Sequence, residues 1–110
     1  MMDWYKFNVG EYTRLTRELP DAEDLAFRRM IDLYYLREGP LPLDHWEIEQ
    51  LVKLDWDCIA PVLRDFFYLT TKGYVNDALQ NDVEKRLSRT TVNKASGKKG
   101  GRPKKVDKAK

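Results

Sequence analysis

The chain has 110 residues, 42% of them hydrophobic, and a single Cys, which allows one modest domain and excludes both a second domain and an internal disulfide framework. The formal net charge of +2 hides a division: 9 Lys+Arg face 16 Asp+Glu through Val83 (−7), and 11 face 2 from Glu84 onward (+9). Such a body repels polyanions and such a tail seeks them.

The first stretch, WYKFNV at 4–9, is aromatic and β-branched, so a strand is expected there, ended by Gly10. Residues 11–19 are ambiguous. Tyr12, Leu15 and Leu19 share a helical face, while Thr13 and Thr16 weaken it. Pro20 closes the segment. Residues 21–38 then read as the central helix. Ala22, Ala26, Met30 and Leu33 form one apolar row, and Phe27, Ile31 and Tyr34 or Tyr35 a second. Two rows call for cover on more than one side. Asp21 is the expected N-cap, and Gly39-Pro40 the stop.

Pro-Leu-Pro-Leu at 40–43 permits only a short edge strand. Asp44, with Glu47 three residues on as in a capping box, opens a second helix over 45–54. Residues 55–57 are the turn. Asp57 caps a third helix through Phe67, with Pro61 at its fourth position. Two β-favouring runs flank Thr71-Lys72-Gly73, a hairpin signal. Asn76 or Asp77 caps a last helix carrying the row Leu79, Val83, Leu87. The apolar pattern fades after Ser88, and the Gly/Lys-rich residues 94–110 are expected to be disordered. The fold class is mostly α with a small β-hairpin: a winged helix-turn-helix-like domain over 1–90, followed by a basic tail over 91–110.

Several stretches resemble the YdaU-type proteins of phages and prophages, a family of unknown function. They are Tyr5-Lys6-Phe7, Gly10-Glu11-Tyr12, residues 23–35 (EDLAFRRMIDLYY), Pro40-Leu41-Pro42-Leu43-Asp44, residues 62–67 (VLRDFF) and Gly73-Tyr74-Val75. The resemblance covers about residues 3–90. It implies a winged-helix-like domain associated with phage replication, of the primosome or initiator kind, and supplies no catalytic residues.

The third helix is the usual base reader in this layout. Here its start is Asp55-Trp56-Asp57-Cys58, and Arg64 is its one cation. Groove contacts favour Arg, Lys, Asn and Gln, so packing or a protein partner is favoured over base reading. Lys72 at the hairpin tip is placed to touch a phosphate or to sit in solvent. Arg28 has Asp24 and Asp32 at four-residue spacing, and Arg29 suits a loop carbonyl. His45 and Cys58 stand alone, without the paired spacings of a zinc site or the third group of a nucleophile triad. No metal, cofactor or catalytic activity is expected.

The tail carries Lys98, Lys99, Arg102, Lys104 and Lys105. Gly101-Arg102-Pro103 with basic residues after it resembles an AT-hook, which lays an extended Arg-Pro segment in a narrow minor groove. Here Gly replaces the usual preceding Arg. The sequence therefore points to a non-enzymatic, cytoplasmic DNA-associated protein of a phage or prophage. Its place is replication initiation or its control, with DNA held by the tail and a phage or host replication protein as possible partner. Two rivals stand: a protein-interaction module acting through the acidic body, and a dimeric transcriptional regulator pairing through Leu79, Val83 and Leu87. No apolar run is long enough to span a membrane, and the N-terminus has no secretory apolar region.

Overall fold

The computed structural model describes residues 2–99, with side-chain surroundings through residue 89. The chain is mostly helical with one antiparallel hairpin, as expected. Its elements are α1 (Val9–Thr16), α2 (Asp21–Arg37), α3 (His45–Val52), α4 (Trp56–Phe66), β1 (Tyr68–Thr70), β2 (Gly73–Val75) and α5 (Asp77–Lys99).

Helix α2 is the axis of the fold, packed against α3, α4 and α5. It buries Ala26, Phe27, Met30, Ile31, Tyr34 and Tyr35, a stripe about half the helix circumference wide. Ala22 is exposed and Leu33 only half-buried. Both lie at the margin of that stripe, so the first expected row is cut short at each end. The N-cap is Pro20 rather than Asp21. Its extended backbone sets the helix start, and its carbonyl accepts the Asp24 N–H at 2.9 Å. At the other end Glu38, not Gly39, takes the left-handed conformation (φ 60°). The Glu38 N–H bonds the Tyr35 carbonyl and the Gly39 N–H reaches back to Tyr34, closing the last turn in a Schellman arrangement.

Asp44 caps α3 as expected, accepting the Trp46 N–H at 3.3 Å. Glu47 leaves the capping box open and lies 4.0 Å from Arg37. The helix stops at Val52 because Lys53 turns left-handed (φ 64°). Arg29 of α2 donates to the Val52 and Lys53 carbonyls at 2.8 and 3.3 Å, the loop-carbonyl role expected for it. Helix α4 starts at Trp56, one residue before the expected Asp57 cap. The Glu49 carboxylate reaches over from α3 and accepts the Trp56 N–H at 2.8 Å. Pro61 therefore sits sixth in α4, and its missing N–H leaves the Asp57 carbonyl without a helical donor.

No strand forms over residues 4–9. Residues 2–8 are irregular, and α1 opens at Val9 with Asn8 accepting the Glu11 N–H at 3.0 Å. The aromatic residues there make ring contacts instead of ladder bonds. Gly10 lies inside α1. In the hairpin Tyr68 faces Val75, Leu69 faces Tyr74 and Thr70 faces Gly73. The expected edge strand in Pro-Leu-Pro-Leu appears as one residue. Leu41 exchanges both backbone bonds with Tyr74 at 3.0 Å, so β2 lies between Leu41 and β1. Asn76 caps α5, accepting the Leu79 N–H at 3.1 Å while donating to the Phe66 carbonyl at 2.7 Å. Val83 of α5 is fully buried. Of the row Leu79, Val83, Leu87, Val83 lies in the core, Leu79 is half-buried against it and Leu87 is exposed. The α5 backbone continues through Lys99, across residues 94–99 where disorder was expected. Extension from a packed start adds one hydrogen bond per residue, without a fresh nucleation cost.

Two left-handed positions test the backbone. Gly73 (φ 137°) has no room for a side chain, since a Cβ there would lie 2.0 Å from the Leu41 carbonyl oxygen. Gly73→Ala is expected to cost about 1–3 kcal/mol through its backbone conformation, with the clash in addition. Lys53→Gly relieves a left-handed residue and is expected to gain up to about 1 kcal/mol. Urea denaturation of both variants checks the opposite signs.

Candidate functional surfaces

The face built by α4 and the hairpin is aromatic and apolar. A groove of about 290 Å³ runs between them, lined by Trp56, Ala60 and Arg64 on α4 and by Leu69 and Tyr74 on the hairpin. The His45 ring stacks on Trp56 at 3.8 Å between centroids, and its Nε2 lies 3.0 Å from the Tyr74 hydroxyl. These contacts lock the start of α3 to the start of α4 and to β2. Around the groove Leu69 is 61% exposed and Trp46 of α3 65%. Asp55 and Asp57 are exposed at the start of α4.

The residues singled out from the sequence do not form one basic patch among the described residues. Arg64 is at the surface, tied to its neighbour Asp65 at 2.9 Å. That bond holds the Asp65 carboxyl below the usual carboxylate range. Lys72 is exposed at the hairpin tip, where its N–H donates to the Thr70 hydroxyl. Lys98 and Lys99 belong to the last turn of the α5 backbone. Arg102, Lys104 and Lys105 lie outside the described residues. Cys58 is a half-buried free thiol, and His45 is engaged with Trp56 and Tyr74. No group of three or more His, Cys, Asp or Glu that could hold a metal ion occurs among the described residues. No described helix is long and apolar enough to cross a membrane.

The sequence reading missed the N-terminal arm. Tyr5 stacks on Tyr35 of α2 at 4.0 Å, and Phe7 touches Tyr12, which lies against Phe27. Phe27 continues the chain of rings to Phe66 at 4.3 Å. Arg28 lies 4.2 Å over the Phe7 ring and 3.5 Å from Asp32. A second groove of about 340 Å³ lies beneath the arm, between α1, α2 and the start of α5. Each tyrosine tip is satisfied: Tyr5 donates to Asp32, Tyr12 to Asp24, Tyr34 to Gln80 and Tyr35 to Asp82, the last two at 2.5 Å. A sequence hint existed in Asp24, Asp32 and Asp82, acids placed beside buried rows. Only the tertiary fold names their partners.

These contacts shift the phenols. Burial, helped by the bond to Asp32, pushes Tyr5 up to about 12. Burial likewise pushes Tyr34 up to about 12. Tyr12 and Tyr35 are also raised, burial first and the carboxylate partner second. An unfolded tyrosine ionises near pH ~10. Between that value and the folded value the native state holds protons that the unfolded chain has lost, so stability falls with rising pH. Urea unfolding is expected to be insensitive to these groups below about pH 10 and to weaken steadily above it. Tyr5→Phe and Tyr34→Phe should each flatten that alkaline slope.

No curated protein and no solved structure matches the chain. A family model matches residues 3–84, a span that takes in the N-terminal arm, α1 to α4, the hairpin and the buried start of α5. The chain belongs to the family described as Protein of unknown function (DUF1376).

Proposed function

We propose that the chain is a non-enzymatic DNA-associated protein of a phage or prophage, acting in replication initiation or its control. A winged-helix-like body orients the molecule, and the basic C-terminal segment holds DNA. The observation that carries the reading is the segregation of charge, −7 through Val83 and +9 beyond it. Val83 is the last residue of α5 known to be buried, and the helix runs a further 16 residues to Lys99. That stretch holds Lys85, Arg86, Arg89, Lys94, Lys98 and Lys99 against Glu84 alone, with Arg102, Lys104 and Lys105 following. Phosphate neutralisation is the dominant source of sequence-independent DNA affinity. The order α2, Leu41, α3, α4, hairpin supports the winged-helix reading. The resemblance to YdaU-type proteins supports the replication setting. Asp55 and Asp57 at the start of α4 argue against base reading by that helix. Arg102 between Gly101 and Pro103 is the residue suited to a narrow minor groove.

A salt titration of duplex binding tests this reading. Roughly five to eight phosphate contacts imply a loss of about 10³-fold or more between 50 and 200 mM salt. Truncation after Ser88 keeps every residue buried among the described residues and should remove most of the affinity while leaving thermal unfolding cooperative. Arg102→Ala should reduce preference for A·T duplexes more than Lys110→Ala does. Undiminished binding by the truncated body at physiological salt would overturn the assignment of affinity to the tail.

A further inference from the structure

The hairpin has two edges, and they are treated differently. On one side the N–H and C=O of Tyr74 are both taken by Leu41. Tyr74 faces Leu69 across the ladder. In an antiparallel pair, a residue whose backbone groups point away from its partner sits in a non-hydrogen-bonded pair, and so does the partner. The N–H and C=O of Leu69 therefore point outward from β1. No described residue bonds to either of them. The edge is Tyr-Leu-Thr, protected by its shortness but by no charge, Pro or bulge within it. The Leu69 side chain is mostly exposed. Beside it lies the groove between the hairpin and α4, with Trp56 and Ala60 in its lining.

An open strand edge beside an apolar groove is the arrangement that accepts an added strand. Main-chain bonds to the edge give affinity, and alternate side chains entering the groove give selectivity. We propose that β1 and the α4 groove bind an extended segment of another protein, apolar at alternate positions and net positive in charge. Charge decides the sign of the partner. The exposed carboxylates of Asp55 and Asp57 lie at the start of α4, Asp77 receives the Tyr68 hydroxyl, and Arg64 is already held by Asp65. Lys72 at the hairpin tip is the opposing cation. A second copy pairing edge to edge through its own β1 would bring the same carboxylates of Asp55, Asp57 and Asp77 against them, so that form of self-pairing is disfavoured. The proposal goes beyond the DNA reading and does not depend on it, because it uses none of the basic residues after Val83.

The test is selection of a random peptide library on the immobilised full chain, followed by binding measurements with the enriched peptides. Leu69→Pro removes the outward N–H together with the Leu69 side chain at the groove; it leaves the bonds between β1 and β2 in place, and an edge position tolerates Pro. Ala60→Gln places a longer, neutral, helix-favouring side chain in the groove. Enriched peptides should alternate apolar and other residues and carry net positive charge. Each variant should weaken them by about tenfold or more, the worth of one good contact. Asp57→Asn should weaken them less, and more at low salt than at high. The Leu69 amide should exchange more slowly with peptide bound. Should Leu69→Pro unfold the chain, Ala60→Gln and the amide exchange still decide the matter. The proposal is overturned by absence of enrichment, or by peptides that bind both variants unchanged. It is also overturned by peptides that leave the Leu69 amide unprotected, or by light scattering that shows a dimer dissociated by Leu69→Pro. Duplex binding measured on the same variants should not change; a chain that fails to bind DNA refutes the tail reading and leaves this one standing.

Discussion

Burial of α2 is the constraint from which the other positions follow. A helix covered by α3, α4 and α5 has few outlets for polar groups. Its buried stripe nevertheless ends in Tyr34 and Tyr35, whose hydroxyls need partners once water is excluded. Gln80 and Asp82 of α5 supply them, which fixes the rotation of α5 about its own axis. Arg29, on the flank of the same helix, caps the carbonyl end of α3. The aromatic arm then stacks Tyr5 on Tyr35 and closes the remaining side. One helix thus sets the positions of α3 and α5 through polar tips and that of α4 through the Phe27–Phe66 stack, while the apolar contacts supply most of the energy.

The elements legible in the sequence were those whose signals are local. Asp44 precedes its helix by one residue and accepts a backbone bond two residues on, so pattern and structure agree. Gly73 was legible because a hairpin needs a residue free of side-chain constraint; the close approach of the Leu41 carbonyl was not, since Leu41 lies 32 positions earlier. Errors arose where a distant group replaced the local one. Asp57 is a good cap by type, yet Glu49 of α3 reaches the Trp56 N–H and starts α4 earlier. Residues 4–9 have strand composition, but their rings pack on α1 and α2 instead of pairing with a strand edge. Leu33 has core composition and helical spacing, but lies just past the margin of a stripe centred on Met30 and Tyr34. Of the candidate site, charge segregation was legible from composition alone, whereas the open edge at Leu69 required the register of β1 on β2.

The two ends of the molecule face different physical tasks. Beyond Val83, six cations fall within 16 residues, opposed by Glu84 alone. That distribution suits a phosphate backbone, which is reached from many directions and needs no fixed geometry. The face of α4 and the hairpin has the reverse character. Its rings are held by stacking and by the Tyr74–His45 bond, and its free backbone groups have fixed directions. A rigid surface with directional donors suits a shaped partner, and carboxylates at its border repel a polyanion.

The same contrast keeps the pairing of α4 with the hairpin from assigning DNA to α4. The layout places a helix and a hairpin side by side, but binding to duplex needs cations at that junction. Here the junction offers Arg64, spent on Asp65, and Lys72 at the tip. The backbone of β1 instead leaves Leu69 with one donor and one acceptor aimed outward, the pair that Leu41 satisfies on the opposite edge. An apolar strand left open next to a preformed groove is a liability for a body kept monomeric, unless a partner covers it. The like charge of the acidic body lessens the risk of self-association through that edge.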